Sequence, residues 1–420
     1  MSESSGRVTA VLDGLPGIRP WQEELYRDLH QHPELSHDEH RTAGLVADRL
    51  RDCGYEVHTG IGGTGVVGVL RNGDGPGVLM RADMDALPVE ENTGLPYAST
   101  VRVKDGSGKD VPVMHACGHD VHVTCLLGAA ALLAQSPRQW NGTTIALFQP
   151  AEEVGDGARG MVKDGLAEAI PSVDVALAQH VAPLPAGHVA ARRGALAASA
   201  DSMRITVFGR GGHGAMPQAS IDPVVLAAMI VLRLQTIVAR EVAPADTVVL
   251  TVGSIHAGTK SNVISDRAVL ELNLRTYDQA TRTAVLDAIR RVVVAECQAS
   301  GSPREPEIEL YDHFPPTIND DEVTDRLSNA FADYFGERFS MMSTGWTASE
   351  DFSEIPNALG APYSYWAVGG TDEQLVRQAT ASGRINQDIP VNHSPTFAPV
   401  VQPTLDVGTQ TLVVAALAWL

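Results

Sequence analysis

The chain has 420 residues, of which 44% are hydrophobic and 20% charged, and its formal net charge is −20. That length exceeds a typical single core, so two domains are expected in an otherwise ordinary globular composition. The negative balance argues against nucleic acid or an anionic membrane as partner, but not against a small anionic substrate, because bound metal ions reverse the sign of the potential inside a pocket.

Taken in chain order, residues 20–30 place Trp21, Leu25 and Leu29 on one helical face, and 38–53 repeat the pattern with Leu45, Val46 and Leu50 before Gly54. Strand-like runs follow at 55–59, 65–70 and 77–80, punctuated by Gly and Asn. The third leads into Arg81-Ala82-Asp83-Met84-Asp85-Ala86-Leu87-Pro88. Acidic residues directly after a buried strand sit where ligands collect in open α/β sheets. The Ala/Leu-rich stretch from Val121 to Leu133 reads as a buried helix with Asp120 as its N-cap. A strand at 143–148 ends in Gln149-Pro150-Ala151-Glu152-Glu153, and after a helical stretch at 158–167 a strand at 174–178 ends in Gln179-His180. Three successive strands ending in ligand-type residues point to a shared site at one edge of a mostly parallel sheet.

From about Ala197 the order becomes strand 202–208, helix 222–238, strands 247–255 and 267–276, helix 279–297 and strand 307–311. This is the ferredoxin-like βαββαβ order. After it come a helix at 321–335, a strand at 363–367, Asn392-His393-Ser394-Pro395 and a closing helix. The expected fold is α/β: a discontinuous, mostly parallel-sheet catalytic domain at 1–196 and 314–420, interrupted by an inserted ferredoxin-like domain at 197–313.

Four cysteines, Cys53, Cys117, Cys125 and Cys297, have no disulfide-framework spacing, so reduced thiols in a cytoplasm are expected. No basic stretch precedes an apolar run at the N-terminus, so no signal peptide is expected, and the apolar run from Leu412 to Leu420 is too short for a membrane span.

The chemistry concentrates in His115-Ala116-Cys117-Gly118-His119-Asp120-Val121-His122. Thiolate and neutral imidazole suit a borderline-soft divalent ion, and an extended segment aims residues two apart, such as Cys117 and His119, the same way. Glu152 and Glu153 are adjacent and on an extended segment point apart. One can bind metal while the other faces a water, a division that suits metal-assisted hydrolysis.

Six segments occur in order: Arg81 to Pro88, His115 to Asp120, Gln149 to Glu153, Gly211-Gly212-His213-Gly214-Ala215-Met216-Pro217, Glu350-Asp351-Phe352-Ser353 and Asn392-His393-Ser394. With them the chain resembles the hippurate hydrolase / N-acyl-amino-acid amidohydrolase branch of the aminoacylase–carboxypeptidase di-metal metallopeptidases, a branch that includes the plant indole-acetyl-amino-acid hydrolases. The resemblance implies two divalent ions (zinc, manganese, cobalt or nickel) held by Cys117, His119, Glu153, His180 and His393, with Glu152 as general base and then acid. The wider superfamily usually has a His-x-Asp motif and a bridging aspartate. Here Asp83-Met84-Asp85 stands near the first and the Cys117/His119 pair replaces the second. That leaves the bridging side chain open, and the thiolate favours softer ions than magnesium.

Asp83 and Asp85 are assigned to orienting a ligand imidazole. His213, in the glycine-rich stretch 209–214, is nominated as donor to the oxyanion. Asn262 and Arg275 are candidates for holding the substrate's free carboxylate. His122 reads as a helix-face or supporting residue. His30, His32, His37, His40 and His58 read as ordinary packing or surface histidines, and Glu350 and Asp351 receive no role. The implied activity is hydrolysis of N-acyl-L-amino acids to a carboxylic acid and a free amino acid. A dipeptidase or carboxypeptidase with the same site is the alternative, and a catalytically silent binding protein the third reading. The inserted domain resembles ones that mediate dimers in this family, so a homodimer is expected, with that domain able to close over the site.

Overall fold

The structure is a computed structural model and describes residues 3–420. The chain forms two compact units: residues up to Leu196 with Ile318–Thr344 and Asp351–Leu420, and Ala197–Thr317 with Gly345–Glu350.

After an opening helix at Glu3–Leu12, the first unit has helices α1 (Leu15–Gln31) and α2 (His40–Asp52) and strands β1 (Glu56–Ile61), β2 (Gly65–Asn72) and β3 (Gly77–Asp83). Helix α3 (His119–Gln135) and strands β4 (Gly142–Gln149), β5 (Val175–Pro185) and β6 (Val189–Ala191) follow. The second unit holds β7 (Ser199–Phe208), α4 (Pro223–Arg240), β8 (Val248–Ala257), β9 (Arg267–Thr276), α5 (Gln279–Ala299) and β10 (Glu307–Phe314). The chain returns to the first unit with α6 (Asp321–Phe335), β11 (Phe339–Met341), β12 (Tyr363–Thr371) and α7 (Val401–Leu417).

The first unit is built on an eight-stranded sheet in the order β1-β2-β4-β3-β5-β12-β6-β11. Its centre, β4-β3-β5-β12, is parallel throughout. Strand β3 is buried along its whole length, as expected of a parallel strand covered on both faces. Helix α3 is apolar on every side and is buried from His119 to Leu133. Each fully buried Leu or Val there contributes about 1.5–3 kcal/mol relative to exposure. Helix α7 lies against α3, and Gly408 permits the approach: a Cβ there would come within 2.6 Å of Cys125 Sγ.

Two local expectations change. Asp120 is not the cap of α3; Gly118 is, at φ 84°, and a side chain there would drive its Cβ to 2.3 Å from Val181 Cγ1. Strand β5 does not end at His180, because its parallel pairing with β12 continues from Ala176 to Pro185. His180 is therefore an interior strand residue.

The second unit's sheet has the order β8-β9-β7-β10, antiparallel throughout, with helices α4 and α5 connecting its strands in the βαββαβ order. Leu226, Ile230, Leu234 and Ile237 of α4 and Ile289, Val292 and Val293 of α5 share a core with Ile205, Val207, Leu270 and Leu272 of the sheet. Both helices start on an aspartate whose carboxylate accepts a backbone N–H: Asp222 from Val224 at 2.9 Å and Asp278 from Thr281 at 2.8 Å. Helix α4 is long and apolar enough to cross a membrane, yet one face packs in this core, while Val225, Met229 and Leu232 remain exposed. Segment 345–350, which the sequence reading gave to the first domain, sits in this unit: Ala198 N donates to Trp346 O at 3.2 Å and to Ala348 O at 3.0 Å.

His30, read from sequence as ordinary, is a buried cation in the first unit. Its Nδ1 lies 2.7 Å from Asp120 Oδ2 and its Nε2 3.1 Å from Glu91 Oε1, with Tyr97 edge-on at a ring separation of 5.4 Å. Burial by itself lowers the imidazole's pKa, but the hydrogen bonds to Asp120 and Glu91 outweigh it and raise the pKa to about 10. A group whose pKa rises on folding stabilises fully below its unfolded value and loses that contribution as pH climbs through the folded one. Replacing His30 by Gln strands two carboxylates, so we expect a loss of roughly 3–5 kcal/mol at pH 6. The difference from wild type should narrow as pH rises toward about 10. Urea unfolding of both proteins at several pH values measures it.

Candidate metal centre

Four parts of the first unit deliver donors to one place. His119 is the first residue of α3, and its Nδ1 donates to the carbonyl of Asp85 at 2.8 Å. That fixes the tautomer, so Nε2 presents a lone pair; it is buried and takes no hydrogen bond. His180 is fixed in the same manner, its Nδ1 donating to Val181 O at 2.8 Å, which turns Nε2 to 3.5 Å from Cys117 Sγ. His393 has a positive φ of 69°, and its own amide donates to Ala116 O at 2.8 Å. Its Nε2 lies 3.3 Å from Glu153 Oε2. Glu153 follows Ala151, also at positive φ (50°), and Glu153 N donates to Asp85 Oδ2 at 2.9 Å. Its Oε1 is buried without a hydrogen bond, 3.8 Å from His119 Nε2.

The donors form overlapping sets: Cys117, His119 and His180; Cys117, Glu153 and His393; and His119, Glu152 and Glu153, with ligand atoms in each within 4.8 Å of one another. Cys117 belongs to the first two sets. The charges are costly as they stand. Burial pushes the Cys117 thiol well above its ordinary pKa, and the Glu153 carboxylate adds to the shift. Burial pushes Glu153 up to about 8, with Asp85 and Asp83 acting in the same sense against His119. Burial holds His180 well below its ordinary value, and so neutral. A thiol, a carboxylate and imidazoles gathered around two unpartnered buried atoms are a fit for divalent cations, which offset the cost of burying the anionic donors.

Behind the donors is a second tier of buried charges. The Arg81 guanidinium, fully buried, donates to Asp83 Oδ2 at 2.6 Å and Gln149 Oε1 at 2.9 Å, and lies 3.3 Å from Asp351 Oδ1. Burial raises the Asp83 pKa, but Arg81, His119 and His122 together carry it well below the usual carboxylate range. Its Oδ1 accepts from His122 Nδ1 at 2.5 Å, while His122 Nε2 accepts the Val181 N–H at 2.9 Å. Both His122 nitrogens are thus engaged, which makes it a supporting residue. Asp83 faces His119 Nε2 at 3.6 Å. Asp85 addresses His119 twice, through its carbonyl and through Oδ1 at 3.3 Å from Nδ1. His115 is buried with neither ring nitrogen hydrogen-bonded, and burial lowers its pKa to about 4, a neutral packing residue.

The remaining candidates lie in the second unit. His213, exposed in a two-residue strand paired with Val263 and Ile264, accepts the Ala215 N–H on Nδ1 at 3.0 Å, so in the neutral ring the proton is on Nε2. Asn262 is adjacent, its carbonyl accepting from Gly214 N at 2.9 Å. Arg275, at the end of β9, donates to Asn273 Oδ1 at 3.0 Å, Thr347 O at 2.7 Å and Ser349 Oγ at 3.1 Å. All three acceptors are uncharged.

Three supporting residues were missed from sequence. Asn392 Nδ2 donates to the carbonyls of Cys117 and Val181, each at 3.2 Å, pinning the His393 loop to two donor segments. Asp351 accepts from Gln149 Nε2 at 2.6 Å and Ala158 N at 3.1 Å, bracing both ends of the Glu152 loop. The Arg81 guanidinium is the third, reaching Gln149 Oε1 at 2.9 Å and Asp351 Oδ1 at 3.3 Å. Asn392 and Asp351 stood inside motifs, but their partners are hundreds of positions away, so spacing carried no signal.

A family model described as peptidase family M20/M25/M40 matches residues 79–389. A hippurate hydrolase of Campylobacter jejuni is 40% identical, covering 82% of this chain and 87% of the relative. A thermostable carboxypeptidase of Saccharolobus solfataricus is 38% identical over 85% of this chain and 88% of its own length. The crystal structure of Bacillus subtilis YXEP, described as a dinuclear metal-binding peptidase of the M20 family, superposes with a TM-score of 0.76 at 29% identity, covering 96% of this chain and 98% of that one. Together with the donor clusters, these likenesses support divalent metal ions as the cofactor. The chain belongs to the M20/M25/M40 peptidase family and is a metal-dependent hydrolase.

Proposed function

We propose that this hydrolase cleaves the amide bond of N-acyl amino acids, releasing a carboxylic acid and a free amino acid. Two divalent ions would be held by Cys117, His119, Glu153, His180 and His393. The observation that carries the reading is the meeting of a thiol, imidazoles and Glu153 around unpartnered buried atoms, with Glu152 beside them. The thiolate favours zinc, manganese, cobalt or nickel over magnesium.

When bound, the ions lower the pKa of a water and polarise the amide carbonyl. The chain's own residues supply the proton traffic. Glu152, 6% exposed and next to the donor Glu153, takes the water's proton and delivers it to the leaving amine. His213, protonated on Nε2, donates to the carbonyl oxygen as it gains charge. Arg275 and Asn262 hold the substrate's free carboxylate. In support, Arg275 is half-buried, and burial lowers its pKa with no carboxylate among its hydrogen-bond partners. A carboxypeptidase substrate has the same carboxylate beside its scissile amide, so the relative bearing that name favours the second reading at the acyl side alone.

The inserted unit serves as lid and dimerisation domain. Strand β8 is a sheet edge and α4 packs on it, leaving Val225, Met229 and Leu232 exposed on the helix. An edge strand pairs with its own copy about a two-fold axis, so this face suits a second copy of the chain.

Glu152→Gln should lower kcat roughly 100- to 10,000-fold with metal content unchanged. Normal turnover would remove Glu152 from the mechanism. Arg275→Ala should raise KM roughly 10- to 100-fold for an N-acyl amino acid and leave its carboxamide analogue nearly unaffected. Equal losses for both would end the carboxylate role. Leu232→Glu should convert a dimer to a monomer in sedimentation; a wild-type monomer would overturn the dimer.

A further inference from the structure

Glu152 lies between two backbone amides that are each held by a buried carboxylate. Glu153 N donates to Asp85, and on the other side Ala151 N donates to Glu39 Oε1 at 2.8 Å. Glu39 is completely buried. The same Oε1 accepts the amide of His37 at 3.0 Å, and Oε2 accepts the Thr64 hydroxyl at 2.5 Å. Ala151 and His37 both have positive φ, 50° and 70°, a region that residues with a side chain avoid. One oxygen therefore anchors two unfavourable backbone conformations. The segment carrying Glu39 is itself tied to the end of β3: Ala86 N donates to Glu34 O at 2.8 Å and Ser36 Oγ to Asp85 Oδ2 at 2.7 Å.

We infer that Glu39 is a positioning residue for Glu152, holding Ala151 in its left-handed conformation so that the Glu152 carboxylate comes beside Glu153 and His119. The inference rests on the reading of Glu152 as proton carrier. The reason is geometric. The φ of Ala151 sets the direction of the peptide that leads into Glu152. A hydrogen bond from an amide to a buried carboxylate is among the stronger ones available to hold it. Without that acceptor, Ala151 N is a buried orphan donor, and the residue relaxes toward negative φ. Misplacement of a proton carrier by about 1 Å costs rate rather than binding.

The test uses the metal-loaded full chain and N-benzoylglycine, with kcat, KM, bound metal and melting temperature read for each variant. Glu39→Leu should lower kcat roughly 100-fold, with KM and metal content unchanged. Glu39→Gln keeps an acceptor for Ala151 and should retain most of kcat. Adding Ala151→Gly to Glu39→Leu should recover much of the lost rate, because glycine adopts positive φ without help. A residue needed only for stability gives no such recovery, since glycine loosens the loop further. Should Glu39→Leu fail to fold, Ala151→Val in the otherwise native chain should lower kcat alone by making positive φ costlier. Full kcat in Glu39→Leu, or in Ala151→Val, overturns the inference, as does the absence of recovery in the folded double variant. Glu152→Gln run alongside keeps the two ideas apart: if it is inactive while Glu39→Leu is normal, only the positioning role fails, and if it turns over normally, the proton-carrier reading fails first.

Discussion

Removing a guanidinium from water costs several kcal/mol unless its partners are complete. Arg81 completes them with Asp83, Gln149 and Asp351, and lies 5.8 Å from the Phe352 ring centre. The consequences pass outward in order. Asp83, held ionised by Arg81, is able to orient His122, and His122 in turn accepts the amide of Val181, next to His180. Gln149 and Asp351, the other partners, brace the loop that carries Glu152 and Glu153. One buried positive charge thus sets the geometry of β3, β4, β5 and the start of α3 at the same edge, and the donors inherit that rigidity.

The donors are aimed by main-chain carbonyls as much as by side chains. Asp85 O fixes His119 and Val181 O fixes His180, so tautomer and ring direction follow from strand and loop geometry. This couples the fold to the chemistry directly. A register slip in β5 would rotate His180 away from Cys117, because successive strand residues face opposite sides of the sheet. The second unit uses the same device on His213, where a backbone amide rather than a carbonyl decides which nitrogen carries the proton.

Much of this was legible in the sequence, for local reasons. Helix 321–335 and strand 267–276 have capping, alternation and turn residues that agree with one another, and both form with those bounds. The donors announced themselves because Cys, His and paired Glu residues after apolar runs are unusual. What stayed hidden depends on distant partners. The continuation of β5 past His180 needs β12, nearly two hundred positions later. The charge on His30 needs Asp120 and Glu91, and the cap of α3 fell to Gly118 because Val181 fills the space beside it. Glu39 stands in a polar stretch with nothing to separate it from a solvated acid until Ala151 is brought beside it.

The first unit closes its sheet and covers α3 with segments from both sides of the inserted unit. His393, Asn392, which pins its loop, and α7, which lies on α3, are all made after the inserted unit. A ribosome delivering this protein therefore releases β3, α3 and β4 long before the surfaces that cover them exist. During that interval the most apolar helix of the first unit is exposed on the face destined for α7, and the thiol of Cys117 waits without the imidazole of His393. Nascent chains of this design depend on protection from aggregation until the segments after the inserted unit have emerged.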